Sequence, residues 1–299
     1  MSTLIFFAVP GFLVLLVLEA AVARRRPEGT VGYEARDTRA SLAMGAGNVV
    51  VAGLTKAAVL GLFGWLHSFA LFDLGDAWWV WGLAILGDDF TYYWFHRMHH
   101  EVRFLWAGHE NHHSSEHYNL STALRQSWTT PLTGPIFWAP LALLGFEPRM
   151  ILTAQAISLI YQFWIHTEWI GRLGPLEWIL NTPSHHRVHH GRNIRYLDRN
   201  HGGILIVWDR LFGSFEPEGE RVEYGLTHPL RSFNPLVIAF HEWVAMFRQV
   251  ARMPRWRDKL RILLSPPGWS PDGSTLTARQ LRDRAAVATA AAGALPLAS

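Results

Sequence analysis

Eleven of the sixteen histidines in this 299-residue chain fall in two short windows, His96 to His117 and His185 to His190. Neutral imidazole is the commonest protein ligand for first-row metals, so crowding of this kind points to metal chemistry. The spacing says the same. His96 and His100 stand four residues apart, and His109, His112 and His113 run in the order H-x-x-H-H. On a helix each set projects from one face. His186, His189 and His190 repeat the H-x-x-H-H order. Eight rings exceed the shell of one tetrahedral or octahedral ion and suit two ions side by side. Trp94, Phe95, Trp106, Tyr118 and Leu120 are interleaved with them, which marks a packed interior rather than a low-complexity sequestering tail. His67, His201, His228 and His241 stand alone and read as structural.

The segments that must position these rings are apolar. The chain is 49% hydrophobic and 17% charged, with 15 Trp and 17 Phe. From Thr3 to Ala23 the only charge is Glu19, and the run stops at Arg24, Arg25 and Arg26; from Ser41 to Phe72 the only charge is Lys56. A hydrocarbon core ~30 Å thick needs about 20 apolar residues, and these stretches supply them. Further apolar segments run from Ala77 to Phe95, from Trp128 to Phe146 and from Met150 to Ile165. They predict an all-α integral membrane bundle of four or five transmembrane or re-entrant helices, with a cytosolic helical cap holding the histidines. The first segment reads as an anchor rather than a signal peptide, because its basic cluster follows the apolar run. With Arg24 to Arg26 cytoplasmic, the third segment delivers His96 to His117 to that face. The fourth and fifth form a hairpin that returns His166 and His185 to His190 to the same side. The site is therefore expected on the cytoplasmic face.

Cysteine is absent, which excludes thiolate-ligated zinc, iron–sulfur clusters and disulfides. Imidazole with occasional carboxylate remains as the ligand set. The net charge of +3 is almost all arginine. Between Trp243 and Arg261 arginine and apolar residues recur at helical spacing, as in a helix lying on an anionic lipid surface, and no nucleic-acid partner is expected. Residues 1–265 read as one membrane domain and residues 266–299 as a peripheral tail.

From Trp81 to Glu218 the chain resembles the fatty acid hydroxylase and sterol desaturase superfamily. The signature H-x-x-x-H, H-x-x-H-H, H-x-x-H-H stands as His96/His100, His109/His112/His113 and His186/His189/His190. The surrounding text, including DDFTYYWFHRMHH, HHSSEHYNLSTALRQS, IHTEWIG and TPSHHRVHHGRN, is similar to the alkylglycerol monooxygenase branch and its bacterial relatives. His99, His117 and His201 depart from it. The resemblance implies a membrane-bound, O2-dependent oxidoreductase with two irons that hydroxylates or desaturates a lipid or sterol-like chain, with tetrahydrobiopterin as reductant in that branch. His166, at the end of the fifth segment, is a ninth candidate ligand. Asp89, one heptad before His96, reads as an orienter of an imidazole N–H, with Asp88 as the alternative and Glu101 and Glu168 as similar candidates. A metal transporter would spread polar residues through the depth of the spans. A zinc hydrolase would carry H-E-x-x-H, whereas His100-Glu101 is followed by Val102, Arg103 and Phe104. With no dinucleotide fingerprint and no cysteine, electrons must come from outside, through a pterin or a carrier protein docking on Arg24 to Arg26 and Arg252 to Arg261.

Overall fold

The computed structural model describes residues 3–23 and 30–293, and the expected anchor Arg24 to Arg26 lies outside them. The described residues are helical, with no strand among them and two isolated bridges, Leu180 to Leu205 and Gly191 to Tyr224. Three long helices come first: α1 (Thr3–Val22), α2 (Ala35–His67) and α3 (Trp78–Glu101). Four single turns follow, α4 (Arg103–Trp106), α5 (Glu110–His113), α6 (Leu120–Ala123) and α7 (Thr130–Thr133), and then the hairpin of α8 (Pro135–Leu144) and α9 (Pro148–Trp164). The remainder is α10 (Pro183–His189), α11 (Val207–Leu211), α12 (Pro235–Arg252), α13 (Trp256–Leu264) and α14 (Ala278–Gly293).

Glu34 starts α2 by accepting the Asp37 N–H at 2.7 Å, a side-chain cap that satisfies an otherwise orphaned donor. Thirty-three residues then rise about 50 Å. Among the described residues α2 is the helix long and apolar enough to cross a membrane, and only 6% of its most apolar window is buried. Leu54 and Trp65 point outward at 79% and 60% exposure. The fourth and fifth apolar segments form shorter elements. The ten residues of α8 rise about 15 Å, half of a hydrocarbon core, before the chain reverses. Gly145 makes that reversal at φ 111°, and a side chain there would collide with the Phe72 carbonyl.

Phe63, Val80, Phe95, Trp138, Leu141 and Met150 join α2, α3, α8 and α9 in one apolar core. Two charged groups among the first helices find partners. Glu19 of α1 accepts from the Leu120 N–H at 2.8 Å and from the Tyr33 and Thr167 hydroxyls, which accounts for a carboxylate in an otherwise apolar helix. Asp37 at the start of α2 holds the buried Arg125 guanidinium at 3.1 Å. The segment after residue 265 meets the rest of the chain at Trp269 and Arg282. Trp269 packs beside Met246 and Ile262, and Arg282 donates to the Leu197 carbonyl.

Asp37→Ala should leave Arg125 charged, buried and unpaired, at a cost of about 3–5 kcal/mol. Thermal unfolding in detergent measures it; an unchanged midpoint would show that the pair does not brace α2.

Candidate metal centre

The last two turns of α3 present His96 and His100 on one face, and its C-cap at Val102 releases the chain into α4. His109 caps α5, which carries His112 and His113. His166 follows the end of α9, and α10 with its C-cap supplies His186, His189 and His190. The structure brings these nine rings into two groups. His96, His100, His109, His113 and His189 form one, and His112, His166, His186 and His190 the other; within each, the ligand nitrogens lie within 4.8 Å of one another. The groups adjoin, with the His113 and His190 rings stacked at 4.4 Å.

Hydrogen bonding fixes which nitrogen carries the proton. His112 Nδ1 donates to the Arg125 carbonyl at 3.2 Å and His166 Nδ1 to the Gln162 carbonyl at 2.7 Å. A carbonyl only accepts, so each neutral ring keeps a lone pair on Nε2. Those two Nε2 atoms nevertheless face each other at 3.2 Å, and His186 Nε2 stands 3.0 Å from that of His166. In the other group His96 Nδ1 donates to the His201 carbonyl at 2.8 Å, while its Nε2 lies 3.0 Å from His109 Nε2, itself 3.1 Å from His113 Nε2. The buried Nε2 atoms of His100, His189 and His190 have no protein partner. Lone pairs converging in a dry interior repel, and a cation at each focus turns that repulsion into coordination. The donor set fits a pair of metal ions. Burial also pushes His109, His113, His166, His186, His189 and His190 well below 6.5 and His112 down to about 4, which keeps the rings in the neutral ligand form.

A second feature has no signal in the histidine spacing. Within the loop Asp198 to His201, three residues supply acceptors for three rings of the first group. Asp198 Oδ1 faces His100 Nδ1 at 3.3 Å, the Arg199 carbonyl accepts from His189 Nδ1 at 2.9 Å, and the His201 carbonyl takes His96 Nδ1. The loop bends through left-handed conformations at Asp198 (φ 51°) and Asn200 (φ 57°), uncommon for residues other than glycine. Its neighbours hold it there. The Asn200 amide donates to the carbonyls of His185 and Glu216 at 3.1 and 2.7 Å. Asp209 accepts from the backbone N–H groups of His201 and Gly202, both at 2.7 Å, and from Ser214 Oγ at 2.6 Å.

Asp89 belongs to this support and touches no imidazole. It accepts from the N–H groups of Ile204 and Leu205 and from Trp208 Nε1, at 2.6, 3.1 and 2.8 Å. One heptad does put it on the face of His96, but two turns away, about 10 Å along the axis and out of reach of the ring. Asp88 accepts from Trp138 Nε1 at 2.6 Å, Glu101 pairs with Arg97 at 2.8 Å, and Glu168 accepts the Val31 N–H at 2.8 Å. Asp198 is the carboxylate that reaches one of the nine rings. His201 is also more than a core ring: fully buried, with both ring nitrogens unpartnered, it lies 5.0 Å from the ring of His100.

A cavity of about 610 Å³ reaches the centre at His109, His112 and His166. Its walls are mainly apolar side chains of α1, α2, α3, α8 and α9, including Phe12, Phe63, Phe95 and Trp138, with polar groups that include Lys56, Asp88, Gln126 and Gln162.

The fatty acid hydroxylase family model matches residues 81–214. The chain is 45% identical to human alkylglycerol monooxygenase over 269 residues, which cover 88% of this chain and 59% of that protein. It is 50% identical to the Xenopus tropicalis alkylglycerol monooxygenase over 206 residues, 69% of this chain and 46% of that one. An ornithine lipid hydroxylase of Rhizobium tropici is 32% identical over 148 residues, 48% of this chain and 45% of the relative. The chain thus spans about three fifths or less of the length of these curated relatives. No solved structure matches it.

Two outcomes follow from the geometry. Asn200→Ala and Asp209→Ala, which touch no candidate ligand side chain, should each weaken metal retention about 10–100-fold in a chelator competition, because ring orientation depends on the loop; retention equal to the parent would remove the loop from the site. Acid should destabilise the metal-free protein. A ring whose folded value lies below its unfolded value binds fewer protons when folded, so stability is complete above pH 6.5 and falls toward about pH 4, the window set by burial of His112 and His185. Unfolding midpoints flat across that window would contradict it.

Proposed function

Because the chain belongs to the fatty acid hydroxylase superfamily, we propose that it is a membrane-bound, O2-dependent lipid monooxygenase whose nine clustered histidines hold two iron ions. The observation that carries this reading is the convergence of Nε2 lone pairs at two adjacent foci, with several Nδ1 protons already committed to carbonyls. Five rings would hold one ion and four the other, all through imidazole nitrogen. Two irons in such a shell supply the redox capacity to activate O2 against an unactivated C–H bond.

The chain's own residues do the rest. The loop at Asp198 to His201 and the carbonyls of Arg125 and Gln162 hold the rings in one tautomer and orientation. The apolar walls of the cavity bury an alkyl chain, exclude water and lead it past His109 and His112, while Gln126 and Gln162 offer hydrogen bonds near the centre. The relatives named for alkylglycerol and for ornithine lipid support a lipid substrate. In this reading α1, α2 and α3 with the α8–α9 hairpin form the membrane bundle, residues 1–265 make one domain, and the centre faces the cytoplasm. The two electrons come from tetrahydrobiopterin or from an external donor protein, since the sequence carries no cysteine and no dinucleotide fingerprint.

Cells expressing the protein under isotopically heavy O2 should gain a lipid carrying one heavy oxygen atom. His112→Ala or His189→Ala should abolish the product and reduce iron from about two per chain, whereas His228→Ala should do neither. A lipid that gains a double bond and no heavy oxygen would make the protein a desaturase; full activity in both motif variants would remove the histidines from catalysis.

A further inference from the structure

We propose that the outer faces of α12 and α13 form a docking surface for an anionic lipid leaflet. This rests on the membrane reading above and goes beyond it, because neither helix belongs to the expected bundle. Leu236, Phe240, Val244 and Phe247 make one stripe along α12 at i, i+4, i+8 and i+11, exposed at 61%, 39%, 43% and 50%. In α13, Trp256, Leu260 and Leu264 make a second stripe, exposed at 66%, 45% and 63%. The opposite faces are spent on packing, through Ile238 and Ala239 against Ala40 and Met44 of α2, and through Met246 and Ile262 against Ala107.

Charge decides what covers the stripes. Arg248 and Arg252 border the first on α12, and Arg257 and Arg261 stand three residues before Leu260 and Leu264 on α13. All four arginines are exposed, and among the described residues the ion pairs use none of them. Asp258 is the sole acid from Arg248 to Arg261. An apolar stripe with Trp and Phe, flanked by arginines long enough to lift their charges to phosphate level, fits a bilayer interface. Nucleic acid would leave the apolar side chains wet. Position agrees, since α12 packs on the first turns of α2, where that long apolar helix meets the cap. The surface also connects to the centre. His241 pairs with Glu110 at 3.1 Å, and Glu242 with Arg103 at 2.7 Å, so α12 grips both ends of the segment that carries His109.

The chain has no cysteine, so a single one can be placed at will. Leu260→Cys carrying an environment-sensitive fluorophore is compared with the same label at Glu220→Cys, in full-length protein reconstituted into nanodiscs of phosphatidylcholine alone or with about 30% phosphatidylglycerol. In the anionic discs a lipid-borne quencher should reduce emission at position 260 about twofold or more, leave position 220 unchanged, and lose its effect at 260 in the Arg257→Glu/Arg261→Glu variant or in high salt. Equal access of an aqueous quencher to both positions overturns the proposal. So does quenching that ignores lipid charge and charge reversal, or shielding of position 260 that appears only when an acidic electron-carrier protein is added. Alkaline carbonate extraction separates the two levels. A chain stripped from the bilayer by carbonate defeats the membrane reading itself, whereas a chain that stays embedded with position 260 in water defeats only the docking surface.

Discussion

Nine imidazoles packed around two foci, with Nε2 atoms about 3 Å apart and the lone pairs of His112 and His166 turned toward each other, form the constraint on which the rest of the structure depends. Such an arrangement opposes folding unless positive charge occupies the foci, and burial makes protons a poor source of it. Metal affinity and folding would therefore be linked, since a cation at each focus would relieve the repulsion. The buried Asp37–Arg125 pair serves the same end, because the Arg125 carbonyl orients His112 while its guanidinium bonds the Asn111 carbonyl beside it.

Support is organised in shells of decreasing chemical obviousness. Rings converge on the foci, carbonyls and Asp198 fix the rings, Asn200 and Asp209 fix the loop, and Asp89 anchors the chain just beyond it. Two left-handed residues are held by this network, and backbone strain of that kind persists only where the surroundings over-determine it. The cavity reaches the centre at His109, His112 and His166, and residues 198–201 are not part of its lining.

The histidine pattern was legible because helix periodicity converts spacing into geometry: His96 with His100, and each H-x-x-H-H, need only one turn of helix to become a cluster. His166 was singled out by its place at the end of the fifth apolar segment, and it lies in the second group of rings. Support was legible only in part. Asp89 was singled out by its heptad spacing, but a shared helix face says nothing of depth, and it bonds the backbone of Ile204 and Leu205 instead of a ring. Asp198 and His201 lie about a hundred residues from the rings they serve, in a loop with no periodicity. The apolar runs located the helices closely, as with Thr3 to Ala23 for α1 and Met150 to Ile165 for α9, but the run from Trp128 to Phe146 divides into the single turn α7 and the ten-residue α8.

X-ray absorption at the iron edge of the purified full-length protein tests the two-metal centre most directly. The expected result is about two irons per chain with a first shell dominated by imidazole nitrogen and the outer-shell scattering of histidine rings. A shell dominated by oxygen, or iron that binds equally well after His112→Ala and His189→Ala, would contradict it.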